Sequence, residues 1–84
     1  MPYVKPENRL HLDTGGLPKT TGDFNYVITK SVEEYLGRKG LSSAHLNEVI
    51  GALVCAKLES YRRVVAEYEN KKIVENTEVY TVLP

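Results

Sequence analysis

Apolar residues recur at helical spacing in the segment that begins at Asp23. Six of them follow one another at steps of one, three or four residues: Phe24, Val27, Ile28, Val32, Tyr35 and Leu36. This period places them on one side of an amphipathic helix. Thr21 or Asp23 is placed to cap the start of the helix, and Gly40 follows two cations at its end. The pattern predicts a helix over residues 23–39.

A longer stripe follows, and its second half becomes polar. Its members recur at steps of three and four residues: Leu46, Ile50, Leu53, Lys57, Tyr61, Val64, Tyr68 and Lys72. Ser42 or Ser43 is placed to cap this second helix. We expect it to run from residue 43 to about 70, with a break near Ala66. The β-prone residues 77–84 are expected to form an extended arm.

The start of the chain has a different character. Residues 1–22 hold three prolines and three glycines, which leave little room for regular structure. Residues 6–12 form at most one or two helical turns, with Pro6 at the first position. We therefore divide the chain into an irregular N-terminal arm, 1–22, and a helical oligomerisation and binding domain, 23–84.

The expected fold class is all-α, an antiparallel helical hairpin with a long second helix. A link of only three residues joins the two helices and folds them back on each other. Because the first helix is shorter than the second, it covers only the first half of the second. The remaining half still carries a stripe, and self-association is the simplest way to bury it. The sequence therefore predicts a homo-oligomer.

Composition narrows the range of partners. Eleven Lys and Arg balance eleven Asp and Glu in 84 residues, which argues against a partner made of DNA or RNA polymer. Apolar residues make up 42% of the chain, as in a soluble globular domain. No stretch approaches the ~18 apolar residues of a membrane span. The single cysteine allows no internal disulfide and favours a reducing, cytoplasmic setting.

The polar half of the stripe is the candidate binding site. Lys57, Tyr61, Tyr68 and Lys72 occupy positions where the period asks for apolar side chains. Buried ammonium and phenol groups need partners, and an anionic ligand with aromatic rings supplies both. In the alternative interpretation the lysine stems extend past the core edge while the tyrosines pack against a second subunit. Both interpretations stay open.

Signals for catalysis are weak. His11 and His45 are the two imidazoles, and neither belongs to a spacing typical of metal ligands. Cys55 falls opposite the stripe, with no histidine three or four residues away to activate it. We therefore expect a protein that is not an enzyme, with no catalytic residues, no metal site and no cofactor.

Three stretches carry a resemblance to a known family. They are Gly-Asp-Phe-Asn-Tyr-Val-Ile-Thr at 22–29, Lys-Leu-Glu-Ser-Tyr-Arg-Arg at 57–63 and Tyr-Glu-Asn-Lys-Lys-Ile-Val-Glu-Asn at 68–76. Over about residues 22–80 the chain resembles a family of small phage and bacterial proteins of unassigned function. It departs from that family at Glu67, where proline is usual, and at Thr77 and Glu78, where a Gly-Asp pair is usual.

The chain is also similar to phage anti-defence proteins that sequester cyclic nucleotide signals as oligomeric sponges. This resemblance implies a phage-type protein of the host cytoplasm that binds a cyclic di- or trinucleotide between subunits. Phosphate would then be neutralised by Lys57 and Lys72, and bases would stack on Tyr61 and Tyr68. The polar edges of the bases would be read by Asn25 and Thr29 of the first helix. The alternative is a structural or protein-interaction helical module with no small-molecule ligand.

Overall fold

The computed structural model describes residues 2–84 and contains four α-helices. They are α1 (Pro6–Asp13), α2 (Thr21–Lys39), α3 (Ser43–Ser60) and α4 (Ala66–Asn76), with a π-helical turn, Tyr61–Val65, between the last two. The described residues contain no β-strand, so the predicted all-α class is confirmed. None of these helices combines the length and the hydropathy that crossing a membrane requires. The chain divides into two compact units, of which the first ends at Val49 and the second begins at Ile50.

The first unit is built on the packing of α1 against α2. Its buried apolar side chains are Leu12 of α1, Tyr26 of α2 and Val49 of α3. The hydroxyl of Tyr26 donates to both carboxylate oxygens of Asp13, at 2.9 and 3.1 Å. The guanidinium of Arg9 lies 6.0 Å from the centre of the Tyr26 ring, at the limit of a cation–π contact. A small core and its polar edge therefore hold the two helices together.

A buried carboxylate fixes the start of α2. Asp23 is 5% exposed and accepts hydrogen bonds from the Asn8 side chain at 2.6 Å and from the Lys19 backbone N–H at 3.1 Å. Thr20 caps the helix, because its hydroxyl accepts the Asp23 backbone N–H at 3.0 Å. The prediction that Thr21 or Asp23 is the cap was wrong, because the capping residue is Thr20, which directly precedes Thr21. The Asp23 side chain instead joins α1, the connecting loop and α2.

The predicted first helix, 23–39, is confirmed, and it ends at Lys39 before a positive-φ glycine, Gly40. The predicted turn of helix at 6–12 is present as α1, inside the segment assigned to the arm. The close backbone approach between helices in this unit is that of α1 and α2. The antiparallel hairpin of the two long helices is not shown and stays a prediction, as does the domain boundary at residue 22.

The second unit begins within α3 and continues through the π-helical turn into α4. The backbone N–H of Ala66 donates to the carbonyl of Tyr61, five residues earlier, which is the hydrogen bond of a π-helix. The chain stays helical through Ala66, so the predicted break there is absent and a π-helical irregularity precedes this residue instead. The helical run ends at Asn76, beyond the predicted end near residue 70. The next residue, Thr77, has φ 69° and ψ 155°, a region that glycine occupies readily and β-branched residues avoid.

The backbone at the end of α4 predicts a stabilising substitution. Thr77→Gly relieves the positive φ, so it should raise the free energy of unfolding by about 1 kcal/mol. Thr77→Ala is the control, because it removes the branched side chain without gaining glycine's freedom. Urea unfolding followed by circular dichroism at a fixed protein concentration measures both. A Thr77→Gly protein no more stable than Thr77→Ala would contradict the prediction.

The buried carboxylate of the first unit predicts a change in acid stability. The Lys19 N–H lowers the pKa of Asp23 below its ordinary value of 3.8, while burial acts in the opposite direction. Such a group contributes stability above its unfolded pKa and loses that contribution as the pH falls through the folded value. Asp23→Asn should therefore lose less free energy of unfolding between about pH 5 and about pH 2 than the parent protein.

The control for acid stability is Glu33→Gln, which removes an exposed carboxylate from the same helix. It should keep the acid dependence of the parent protein. Urea unfolding at a series of pH values provides the measurement. An Asp23→Asn protein that loses as much stability in acid as the parent would show that Asp23 does not carry this dependence.

Candidate functional site

A cavity of about 580 Å³ lies within the second unit, between α4 and the residues that follow it. We call it the tail cavity. Its helical wall consists of Tyr61, Glu69, Lys72, Ile73 and Asn76. Its other wall consists of Thr77, Glu78, Val79, Tyr80 and Leu83. The volume falls in the range of small-molecule sites, and the lining combines two phenols, two carboxylates and one ammonium group.

Lys72 is the cation of this cavity, and its charge is already shared. Its ammonium nitrogen lies 3.2 Å from Oε2 of Glu75, one turn further along α4. The same nitrogen lies 5.5 Å from the centre of the Tyr68 ring, in the geometry of a cation–π contact. Because the ion pair is exposed, its contribution to stability is small. Lys72 is therefore free to exchange Glu75 for another anion at little cost.

The structure brings together some of the predicted site residues. Tyr61 and Lys72 line the tail cavity, and Tyr68 contacts Lys72 from outside its lining. Lys57 belongs to the same unit and is exposed on α3. The remaining two lie on α2 in the first unit, half-buried Asn25 and exposed Thr29.

The π-helical turn changes the stripe that the sequence predicts. That stripe assumes an uninterrupted α-helix, in which Val64 and Tyr68 follow Tyr61 on one side. In the structure Val64 is 65% exposed and its neighbour Val65 is 39% exposed. Tyr68 is likewise absent from the cavity lining, whereas Glu69 is part of it. The extra residue of the π turn rotates α4 by one position, so the side of Tyr61 continues through Val65 and Glu69.

The outer face of the π turn is charged, as the sequence indicates. Oε2 of Glu59 lies 2.8 Å from a guanidinium nitrogen of Arg62. Oε1 of Glu59 lies 3.7 Å from a guanidinium nitrogen of Arg63. All three side chains are exposed, so this is a solvated ion-pair cluster. Cys55 is an exposed free thiol on the preceding helix.

A second hollow, of about 350 Å³, lies along the end of α2 in the first unit. The Tyr35 hydroxyl there donates to Oε2 of Glu48 at 2.6 Å. This hydrogen bond raises the pKa of Tyr35 and lowers the pKa of Glu48. The ammonium nitrogen of Lys39 lies 5.9 Å from the Tyr35 ring centre. The hollow is smaller than the tail cavity and its tyrosine hydroxyl is already bonded, so we favour the tail cavity as the candidate site.

In the part of the chain that the structure describes, no three His, Cys, Asp or Glu side chains are placed to hold a metal ion. The tail cavity offers ring surfaces, one ammonium group, two carboxylates and further hydrogen-bonding side chains. Sequence reasoning missed Glu69, Ile73, Asn76 and Tyr80 in its lining. The β-prone tail was a signal for Tyr80, whereas the other three depend on the π turn.

The described residues form a small all-α protein with a candidate site, the tail cavity, in the second unit. The family described as Domain of unknown function (DUF6899) matches residues 1–79, and the chain belongs to this family. The expected membership in a family of unassigned function is therefore confirmed. Comparison with the curated proteins and with the solved structures found no match.

Proposed function

We propose that the protein is a helical interaction module that acts as a homo-oligomer, with Ile50–Pro84 as its assembly segment. One observation carries the proposal. No residue of this segment is buried, yet it holds fourteen exposed large apolar side chains. A helical segment gains most of its stability from burying one side, so this segment requires a partner surface.

Counted over all sides of the segment, the exposed apolar area is close to what one partner of a protein interface buries. At roughly 50 Å² of apolar area per partly exposed side chain, the fourteen side chains hold on the order of 700 Å² in total. Each partner in a stable complex buries about 800 Å². The formal net charge of zero adds no electrostatic repulsion between copies. We retain the antiparallel hairpin in this proposal, because the Tyr35–Glu48 hydrogen bond joins the two helices near their short link.

The first test is the mass of the protein in solution across the micromolar range. Light scattering and sedimentation should show an assembly larger than the 9.5 kDa chain. Ile73→Asp should weaken self-association at least about tenfold, because it places a charge on the less exposed side of α4. Val74→Asp is the matched control, since that neighbour is 85% exposed. A protein of 9.5 kDa at every concentration would reject the proposal.

A second function is favoured by the lining of the tail cavity. We propose that it holds a nucleotide-type anion, with Lys72 neutralising phosphate and Tyr61 and Tyr80 stacking on bases. This is the cyclic nucleotide sequestration that the resemblance to phage anti-defence sponges implies, acting in the host cytoplasm. Sequestration requires no catalytic group. We rank it second, because Glu69 and Glu78 in the same lining repel an anion.

Calorimetric titration with a panel of cyclic di- and trinucleotides tests this second function. If Lys72 holds phosphate, Lys72→Met should weaken binding by about 1.5–3 kcal/mol, the range for a hydrogen bond to a charged group. Lys71→Met is the matched control, because its side chain is outside the cavity lining. Native mass spectrometry of the purified protein shows whether a ligand is retained. If the folded protein gives no heat with any member of the panel, nucleotide sequestration is rejected.

A further inference from the structure

The α3 half of the second unit presents a mixed side that leads to the π turn. Ile50, Leu53, Val54 and Lys57 precede Tyr61 by eleven, eight, seven and four residues. These spacings place all five side chains on one side of an α-helix. The four residues other than Lys57 are large apolar side chains that remain substantially exposed to water.

The α4 half continues the same side after the π turn. Tyr61, Glu69, Lys72, Ile73 and Asn76 line one cavity, so they face the same way. Steps of four residues from Lys57 to Ile73 would rotate the side by about 160° in an α-helix. The extra residue of the π turn reduces that rotation by the angle of about one residue, so Ile73 returns toward the side of Lys57 and Tyr61. Ile73 is accordingly 39% exposed, against 85% for Val74.

Taken with Val65, these two halves form a surface that we call the palindromic face. The residues of this face are, in chain order, Ile50, Leu53, Val54, Lys57, Tyr61, Val65, Glu69, Lys72, Ile73 and Asn76. The steps between neighbours in this series are three, one, three, four, four, four, three, one and three. The series is identical when read backwards, and its centre is Arg63 in the π turn. Reversal of the chain therefore places Leu53 on the position of Ile73, and Lys57 on that of Glu69.

The charges of the second unit are complementary under the same reversal. Reversal about Arg63 exchanges residues 50–62, which hold two cations and one carboxylate, with residues 64–76, which hold two cations and three carboxylates. The two halves therefore carry net charges of about +1 and −1 at neutral pH, when Lys, Arg and Glu are ionised. In a parallel pair each half would face a half of its own sign. In an antiparallel pair each half faces the opposite sign.

We propose that two copies dock antiparallel through the palindromic face, about a two-fold axis near Arg63. This inference rests on the proposed homo-oligomer and specifies its orientation and register. Leu53 of each copy packs on the partner's Ile73, and Lys57 of each copy pairs with the partner's Glu69. Such a contact is isologous, so each pair occurs twice and the interface closes without further growth. The Leu53 and Lys57 side chains of the second copy then occupy the helical wall of the tail cavity.

Charge exchange between Lys57 and Glu69 tests the orientation. In the Lys57→Glu variant, a glutamate at position 57 faces the partner's Glu69, and the two-fold axis repeats this like-charge pair. The variant should therefore dimerise at least about tenfold more weakly. Glu69→Lys should do the same through two pairs of lysines. The double variant Lys57→Glu/Glu69→Lys restores opposite charges at both places. Its dimerisation constant should return to within about threefold of the parent value, since only the direction of each pair is reversed.

Lys71→Glu is the matched control, because it makes the same charge change at a position outside the palindromic face. It should leave dimerisation within about twofold of the parent value, as is usual for a distant surface charge. Sedimentation equilibrium gives the dimerisation constants, and circular dichroism confirms helicity for every variant. A parent protein that dimerises while the double variant stays as weak as the single ones overturns the antiparallel register alone. A monomeric parent protein overturns the homo-oligomer and, with it, this inference.

Discussion

A helix in water holds its shape when one side of it is removed from water, because helix propensity alone is marginal over this length. The second unit has a long helical run and no buried side chain, so this requirement is unmet within the unit itself. In the proposed assembly, the exposed apolar groups, the polar side chains among them and the cavity beside α4 are parts of the surface that a second copy covers.

The first unit meets the same requirement internally, although by a small margin. Three apolar side chains are buried, and the polar contacts of Asp23 and Tyr26 fix how α1 meets α2. Its stability therefore depends on a few specific hydrogen bonds and hence on pH. The stability of the second unit should depend on protein concentration, because association stabilises the associated form by mass action. If the proposed assembly forms, the stability of the first unit depends on pH and that of the second on protein concentration.

Periodicity was sufficient to predict the helices. The apolar pattern predicted α2 to within two residues at its start, and it predicted the long helical run that follows. It did not predict the π turn, because that turn depends on one shifted backbone hydrogen bond that no residue type signals strongly. Val64 of the π turn and Tyr68 of α4 were consequently assigned to the side of Tyr61, and Glu69 and Ile73 were missed. The position of Asp23 was readable, whereas its partners Asn8 and Lys19 required the loop conformation.

The π turn has a consequence for how the length of this protein can change. The π turn adds one residue between α3 and α4, and this residue changes the direction in which the side chains of α4 point relative to those of α3. Removing any single residue from Tyr61–Val65 would therefore leave a regular α-helix. That shorter helix would be locally less strained, yet its two ends would present different sides to a partner. Insertions and deletions should therefore be excluded from these five residues. In relatives that keep the same assembly, the number of residues between Lys57 and Glu69 should be more constant than their identity.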